Sequence, residues 1–206
     1  MNEKFFDLPR EKQDRMINGA LEVFAKNGFK HASTDDMVKA VGVSKGLWFH
    51  YFGSKAGLYI FVYDYSVKYL LLEMSTVVDE SEKNFFEMAK QLELAKNRVS
   101  RSYPYLLLFL EAAQDEEDEE VTAQTLEAQK TLQEKVSALI KNTEINGVDD
   151  RARRDKIKKL TALTISGIIK ERTASGAEHE AVYREIKAYI ELIREMAECT
   201  EKPPIS

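Results

Sequence analysis

The chain has 206 residues, 44% hydrophobic and 32% charged, an ordinary balance for a folded protein and one that argues against disorder. That length suits one large domain or two small ones. The net charge of −5 does not advertise a nucleic-acid partner, yet it is unevenly spread: residues 1–60 hold nine Lys and Arg against seven Asp and Glu, and the remainder 21 against 28. This is a mildly basic head on an acidic body.

The opening MNEKFFDLPREK has no long apolar run and no small-residue cleavage site, so no signal peptide and no membrane partner are expected. The single cysteine, Cys199, cannot form an internal disulfide, which fits a reducing compartment and a cytoplasmic location. With only four prolines and nine glycines, long helices are the default.

The first predicted helix runs from Leu8 to Asn27, with Met16, Ile17, Ala20, Leu21 and Phe24 at helical spacing and Asn27-Gly28 as a left-handed stop. Ser33 followed by Asp36 resembles a capping box and opens a short helix, Thr34 to Val41. Gly42 breaks it, and Ser44 caps the next helix. Two short helices joined by a Gly-containing turn form a helix-turn-helix pattern.

The second of these helices carries five consecutive rings, Trp48 to Phe52. At 100° per residue, Trp48 and Phe52 share one stripe that can pack inward. Gly46, Leu47, His50 and Tyr51 then face away, with Lys45 and Phe49 at the flanks. Such a helix suits a DNA major groove: Lys can donate to guanine, apolar groups can touch a thymine methyl, and Tyr and His can bond phosphates. An aromatic corner of a helical core, with His50 and Tyr51 merely solvated, fits the same pattern.

A long helix is predicted from Lys55 to about Val78, then a loop, VDESEKN, then a helix over 82–100. Pro104 opens PYLLLFLEAAQ, which is apolar all round and expected to be buried on all sides. The acidic run Asp115 to Glu120 lacks His partners for a metal and reads as a solvated turn that favours the N-terminus of the next helix, which extends to about Ile145. The last two helices are placed at 151–175 and 178–198. The first carries Ile157, Leu160, Ile165 and Ile168 around Ser166-Gly167, and the second Val182, Ile186, Ile190 and Ile193. Small residues at mid-helix allow close approach, within one subunit or between two.

From Ile17 to Tyr59, INGALEVFAKNGFKHASTDDMVKAVGVSKGLWFHYFGSKAGLY, the sequence resembles the tetracycline-repressor type, or TetR family, of bacterial transcription regulators. The Thr opening the second helix, the G-V-S-K-G run, the aromatic-rich recognition helix and the following S-K carry the likeness. The resemblance implies an all-α protein: a three-helix DNA-binding head, residues 1–54, joined by a long helix to a ligand-binding and dimerisation body, residues 55–206. It implies a repressor that binds a palindromic double-stranded operator as a homodimer and is released by a small hydrophobic or aromatic inducer.

Residue by residue, the resemblance implies that Thr34 holds a phosphate. Ser44 and Lys45 open the recognition helix, with Lys45 reading a base. Gly46 and Leu47 approach the groove floor, His50 and Tyr51 reach the backbone, and Lys55 pairs with a phosphate. Phe49 stands where the family commonly has Tyr, and Leu47 where a small hydroxylated residue is common, so the operator sequence is left open. The family's pocket helices hold ten of the twenty aromatics, between Tyr59 and Phe109. Pocket candidates are Tyr65, Tyr69, Met88, Leu92, Tyr105, Phe109 and Glu111, although core packing accounts for the same residues. The last two helices imply a four-helix dimer interface through Ile157, Leu160, Ile165, Gly167, Ile168, Val182, Ile186, Ile190 and Ile193.

Catalysis is not expected, and neither is a metal or a cofactor. No Glu precedes His31, His50 or His179 by three residues, as carboxylate-bridged metal bundles require, and no phosphate-binding glycine pattern occurs. A helical interaction protein whose head has lost DNA binding is the remaining alternative.

Overall fold

Helix boundaries follow local chemistry through most of the chain. The computed structural model describes residues 3–174 and 178–198; Cys199 and the expected end of a helix at 175 lie outside them. A 3-10 turn, Glu3–Asp7, precedes α1 (Arg10–His31), which opens after Pro9. Then come α2 (Thr34–Val41), α3 (Lys45–Phe52) and α4 (Lys55–Val77), followed by α5 (Phe85–Ser102) and α6 (Leu106–Ala112). A second 3-10 turn, Ala113–Asp115, leads to α7 (Glu119–Lys141), α8 (Arg151–Ala174) and α9 (His179–Glu198). The described residues form no strand beyond one isolated bridge, Asn84 with Glu144, so the chain is all-α.

Three local expectations are corrected. Gly28 is left-handed, with φ 65°, yet α1 kinks there and continues to His31. The continuation holds because Phe29 is buried and both of its backbone groups are bonded by distant side chains, Glu116 and Lys55. Helix α7 stops at Lys141 instead of near Ile145. Lys158 donates to the carbonyls of Ile140 at 2.9 Å and Thr143 at 2.8 Å, capping the end, and Glu144 turns away to exchange backbone bonds with Lys83 and Phe85. In α6, Leu106, Phe109 and Leu110 are buried, but Leu107 and Leu108 are only half-buried.

The chain divides into two compact units. The first runs through Leu72 and resumes over Val99–Gln133; the second takes Glu73–Arg98 and continues from Glu134. In the first, α1 packs on α2 and α6, and α2 on α3. Phe109 of α6 meets Phe24 of α1 at 6.0 Å and Tyr59 of α4 at 5.1 Å between ring centroids. The second unit closes over Phe85, Phe86, Ile145, Ile165, Ile168, Ile186, Ile190 and Ile193. Burial of this kind stabilises by roughly 1.5–3 kcal/mol per large apolar side chain. Ion pairs lace α5 to α9, with Lys90 to Glu191 at 2.5 Å and Arg194 to Glu87 at 2.9 Å. Among the described residues, no helix is long and apolar enough to cross a membrane.

Two carboxylates of the acidic run bind backbone N–H groups. Asp118 accepts from Glu120 N–H at the start of α7, and Glu116 accepts from Phe29 N–H. Among the described residues no group of three or more His, Cys, Asp or Glu could hold a metal.

Candidate nucleic-acid interface

Two capped helices and one glycine build the site. Ser33 Oγ accepts from the N–H groups of Asp35 and Asp36 and starts α2. Gly42, at φ 70° and ψ 35°, ends it, its N–H bonded to Val38 O at 2.9 Å; a Cβ there would strain the turn. Ser44 Oγ then accepts from Leu47 N–H and starts α3. Each contact lies within four residues, so the turn between α2 and α3 is specified locally.

The rings of α3 are sorted by what covers them. Trp48 and Phe52 are buried, as their shared stripe predicts, with ring centroids 5.4 Å apart. Tyr51, expected to face away, is only 8% exposed because the Phe5 ring from the 3-10 turn covers it at 5.7 Å. Phe49, expected at the flank, is 42% exposed. Lys45, Gly46 and His50 are exposed with it, Leu47 is half-buried beside them, and Ser44 is exposed at the start. The outward face therefore offers a cation, a gap without side chain, an apolar ring and an imidazole. Thr34 sits half-buried in the first turn of α2.

Both expected DNA lysines are engaged. Lys45 Nζ lies 2.9 Å from an Asp35 carboxylate oxygen, and the hydrogen bond from Lys45 holds the Asp35 carboxyl below the usual aspartate range. Lys55 Nζ faces three backbone carbonyls at the end of α1: Phe29 at 2.8 Å, Lys30 at 3.3 Å and Ala32 at 3.4 Å. It also stands 4.5 Å from the centre of the Phe29 ring. An ammonium has three donors, so the geometry makes Lys55 a cap on α1, where the carbonyl end of the helix dipole favours a cation.

The residues predicted for a pocket fall in both units. In the first, Tyr65 and Tyr69 are stacked 6.0 Å apart, and Tyr103 stands edge-on to both. Tyr65 and Tyr103 share a hydroxyl hydrogen bond of 2.5 Å, and Tyr103 donates to Asp14 of α1 at 2.6 Å. Tyr105 lies under the Lys26 ammonium, Phe109 is fully buried, and Glu111 is half-buried. Met88 and Leu92 are buried in the second unit.

Of the residues predicted for a subunit interface, Ile165, Ile168, Ile186, Ile190 and Ile193 are buried in the core of their own unit, with Ile157 and Val182 packed against it. The five isoleucines are at most 9% exposed, whereas Ile157 and Val182 are half-buried. Leu160 is exposed, and so is Gly167, where an added Cβ would meet nothing within 4 Å.

Sequence reasoning missed Phe5, Asp35 and Glu116, each of which acts through a contact to another element. The only signal for Phe5 was a pair of aromatics, Phe5-Phe6, in an otherwise polar opening segment.

Comparison with known proteins agrees with this geometry. Residues 16–60 match the model of the family described as bacterial regulatory proteins, tetR family. Over 54 residues the chain is 33% identical to the HTH-type transcriptional repressor AcnR of Corynebacterium glutamicum, a match covering 26% of this chain and 29% of the relative. The whole fold resembles the TetR family regulator PfmR of Thermus thermophilus, with TM-score 0.65 at 17% identity, covering 93% of this chain and 98% of the other. It also resembles a TetR family regulator from Chloroflexus aurantiacus, with TM-score 0.59 at 20% identity over 96% of each chain. Residues 16–60 thus form a helix-turn-helix that matches the tetR family model, on a helical chain whose fold resembles that of solved TetR family regulators.

Proposed function

We propose that the protein is a transcription regulator that binds a palindromic DNA operator as a two-fold dimer, represses, and is released by a small apolar or flat ligand. Head and body divide the labour at about residue 54. The observation that carries the reading is the sorting of α3: Trp48, Tyr51 and Phe52 face inward, and Lys45, Gly46, Phe49 and His50 are left on one outward face. Direct readout of a major groove needs such a face, with a donor for guanine and apolar surface for a thymine methyl.

A dimer is supported by the surface of the second unit. Leu160 and Leu163 lie on α8, in register with Gly167 at spacings i, i+3 and i+7; Tyr189, Leu192 and Met196 repeat that spacing on α9. All five large side chains are 42–62% exposed. Two such seams, one per helix, suit a helix pair that meets its symmetry mate, and a two-fold pair of heads matches a palindrome. A ligand acts by its different affinity for two arrangements of the heads; about 2.7 kcal/mol of difference lowers operator affinity a hundredfold.

Selection of duplexes from a random pool tests the reading. Recovery of a palindromic site, bound by a dimer in sedimentation, is the expected outcome. Failure to enrich any sequence would overturn it. A panel of hydrophobic, cationic and acyl compounds then tests release from the selected duplex.

A further inference from the structure

We propose that the N-terminal 3-10 turn is a positioning element for the recognition helix, acting through Phe5; this rests on the DNA-binding reading above. Phe5 is fully buried, while its neighbour Phe6 is 52% exposed. The Phe5 ring meets Tyr51 at 5.7 Å and Phe52 at 5.2 Å, both on α3, and Phe61 of α4 at 5.3 Å. One aromatic side chain thus joins the last turn of the recognition helix to the long helix behind it.

The turn that delivers Phe5 is itself anchored. Gln13 Nε2, on the first turns of α1, donates to Phe6 O at 3.1 Å and to Leu8 O at 2.7 Å. Leu8 N–H closes the turn on Phe5 O at 3.3 Å. A single amide, with its two donors, ties the segment to α1. The chain of contact runs from α1 through Gln13 to the 3-10 turn, and from Phe5 to α3.

The recognition helix needs such support because it is short. Eight residues make little more than two turns, and a helix of that length owes its stability and orientation to packing. Tyr51 and Phe52 directly follow Phe49 and His50, the outward pair. Rotation of α3 about its axis would shift the outward face, with Lys45, the proposed base reader, before it broke the fold. A contacting side chain misplaced by about 1 Å loses most of a directional contact, whereas attraction to phosphates survives. Phe5 therefore governs the preference for one sequence over another more than total DNA affinity.

The test compares Phe5→Ala, Phe5→Leu, Gln13→Ala and Phe6→Ala in the full chain. Each is measured on a duplex selected by the wild type and on a random-sequence duplex of equal length. Trp48, the only tryptophan, is a built-in reporter: it is 3% exposed and lies on α3 against Phe52. Phe5→Ala should lose about tenfold on the selected duplex, the discrimination of roughly one base contact. On the random duplex it should stay within about twofold. Its Trp48 emission should become more accessible to a soluble quencher, Phe5→Leu should recover most of both losses, and Phe6→Ala should match the wild type.

A wild-type ratio of selected to random affinity in Phe5→Ala would overturn the proposal. If Phe5→Ala unfolds the head, Gln13→Ala decides on the same ratio, because it removes the anchor and keeps the ring: a reduced ratio supports the proposal and an unchanged ratio overturns it. Should the wild type select no duplex, the DNA-binding reading itself fails. The quenching of Trp48 would then still show whether Phe5 holds α3, and unchanged quenching in Phe5→Ala would overturn that part as well.

Discussion

Lys55 and Glu116 grip the same residue from opposite sides. Lys55 Nζ donates to the carbonyl of Phe29 at 2.8 Å, and Glu116 Oε2 accepts from the N–H of Phe29 at 2.9 Å. One side chain opens α4 and the other lies in the acidic run before α7; between them they hold the kinked end of α1. Removing either leaves backbone groups without their partner. Lys55→Ala and Glu116→Ala should each destabilise the head by about 1–2 kcal/mol. Denaturant unfolding followed through Trp48 measures this. Because Lys55 faces carbonyls, its loss should lower the salt slope of DNA binding by less than the one unit of a lost phosphate contact.

On the proposed DNA-binding reading, Asp35 competes with DNA for Lys45, to which it is paired at 2.9 Å. The pair is solvent-exposed, so screening makes it weak. Asp35→Asn removes a carboxylate from the DNA-facing surface and frees the ammonium; it should raise affinity several-fold for selected and random duplexes alike. Gel-shift titrations at two salt concentrations check it. Lower affinity on the selected duplex would mean that Asp35 orients Lys45 for its base.

Gly19 is set by close approach. A Cβ there would stand 2.3 Å from Val41 Cγ2, where α2 crosses α1. Gly19→Ala gains helix propensity, worth about 1 kcal/mol, but should lose roughly 1–3 kcal/mol to overpacking. Val41→Ala in the same chain should recover part of the loss, and the double-mutant cycle by thermal unfolding measures the coupling.

The two apolar faces of α8 and α9 let the proposed assembly be tested apart from folding. Leu163→Asp or Leu192→Asp places a charge on the exposed seam and should yield a folded monomer, read by sedimentation and circular dichroism. Ile168→Asp or Ile190→Asp buries a charge in the core and should unfold the second unit. A wild type that is monomeric at micromolar concentration would contradict the dimer.

Acid should loosen α9 from α5. The hydrogen bond from Lys90 holds the Glu191 carboxyl below the usual glutamate value of 4.5. A depressed carboxylate adds stability that is fully present above its unfolded value and is lost as pH falls through its folded one. Stability should therefore be flat above about pH 5 on this account and decline below. Glu191→Gln should flatten the decline, as monitored by denaturant unfolding between pH 3 and pH 7.

Helices, their caps and the helix-turn-helix were legible in the sequence because their causes are local. Ser33, Gly42 and Ser44 act within four residues of themselves, and the inward stripe of Trp48 and Phe52 follows from helical periodicity. Periodicity tells that a helix has an apolar face but not which neighbour covers it. Tyr51 lies inward because Phe5 covers it, from the other end of the head. Helices α8 and α9 each carry two apolar faces, and only packing against Phe85 and Phe86 decided that the isoleucines go inside and the leucines stay out. Lys45 and Lys55 were both expected to face DNA, one at a base and the other at a phosphate. Their partners, Asp35 and the end of α1, were settled by how α2, α3 and α4 cross, because an ion pair or a helix cap needs its acceptor within about 3 Å whatever the distance along the chain.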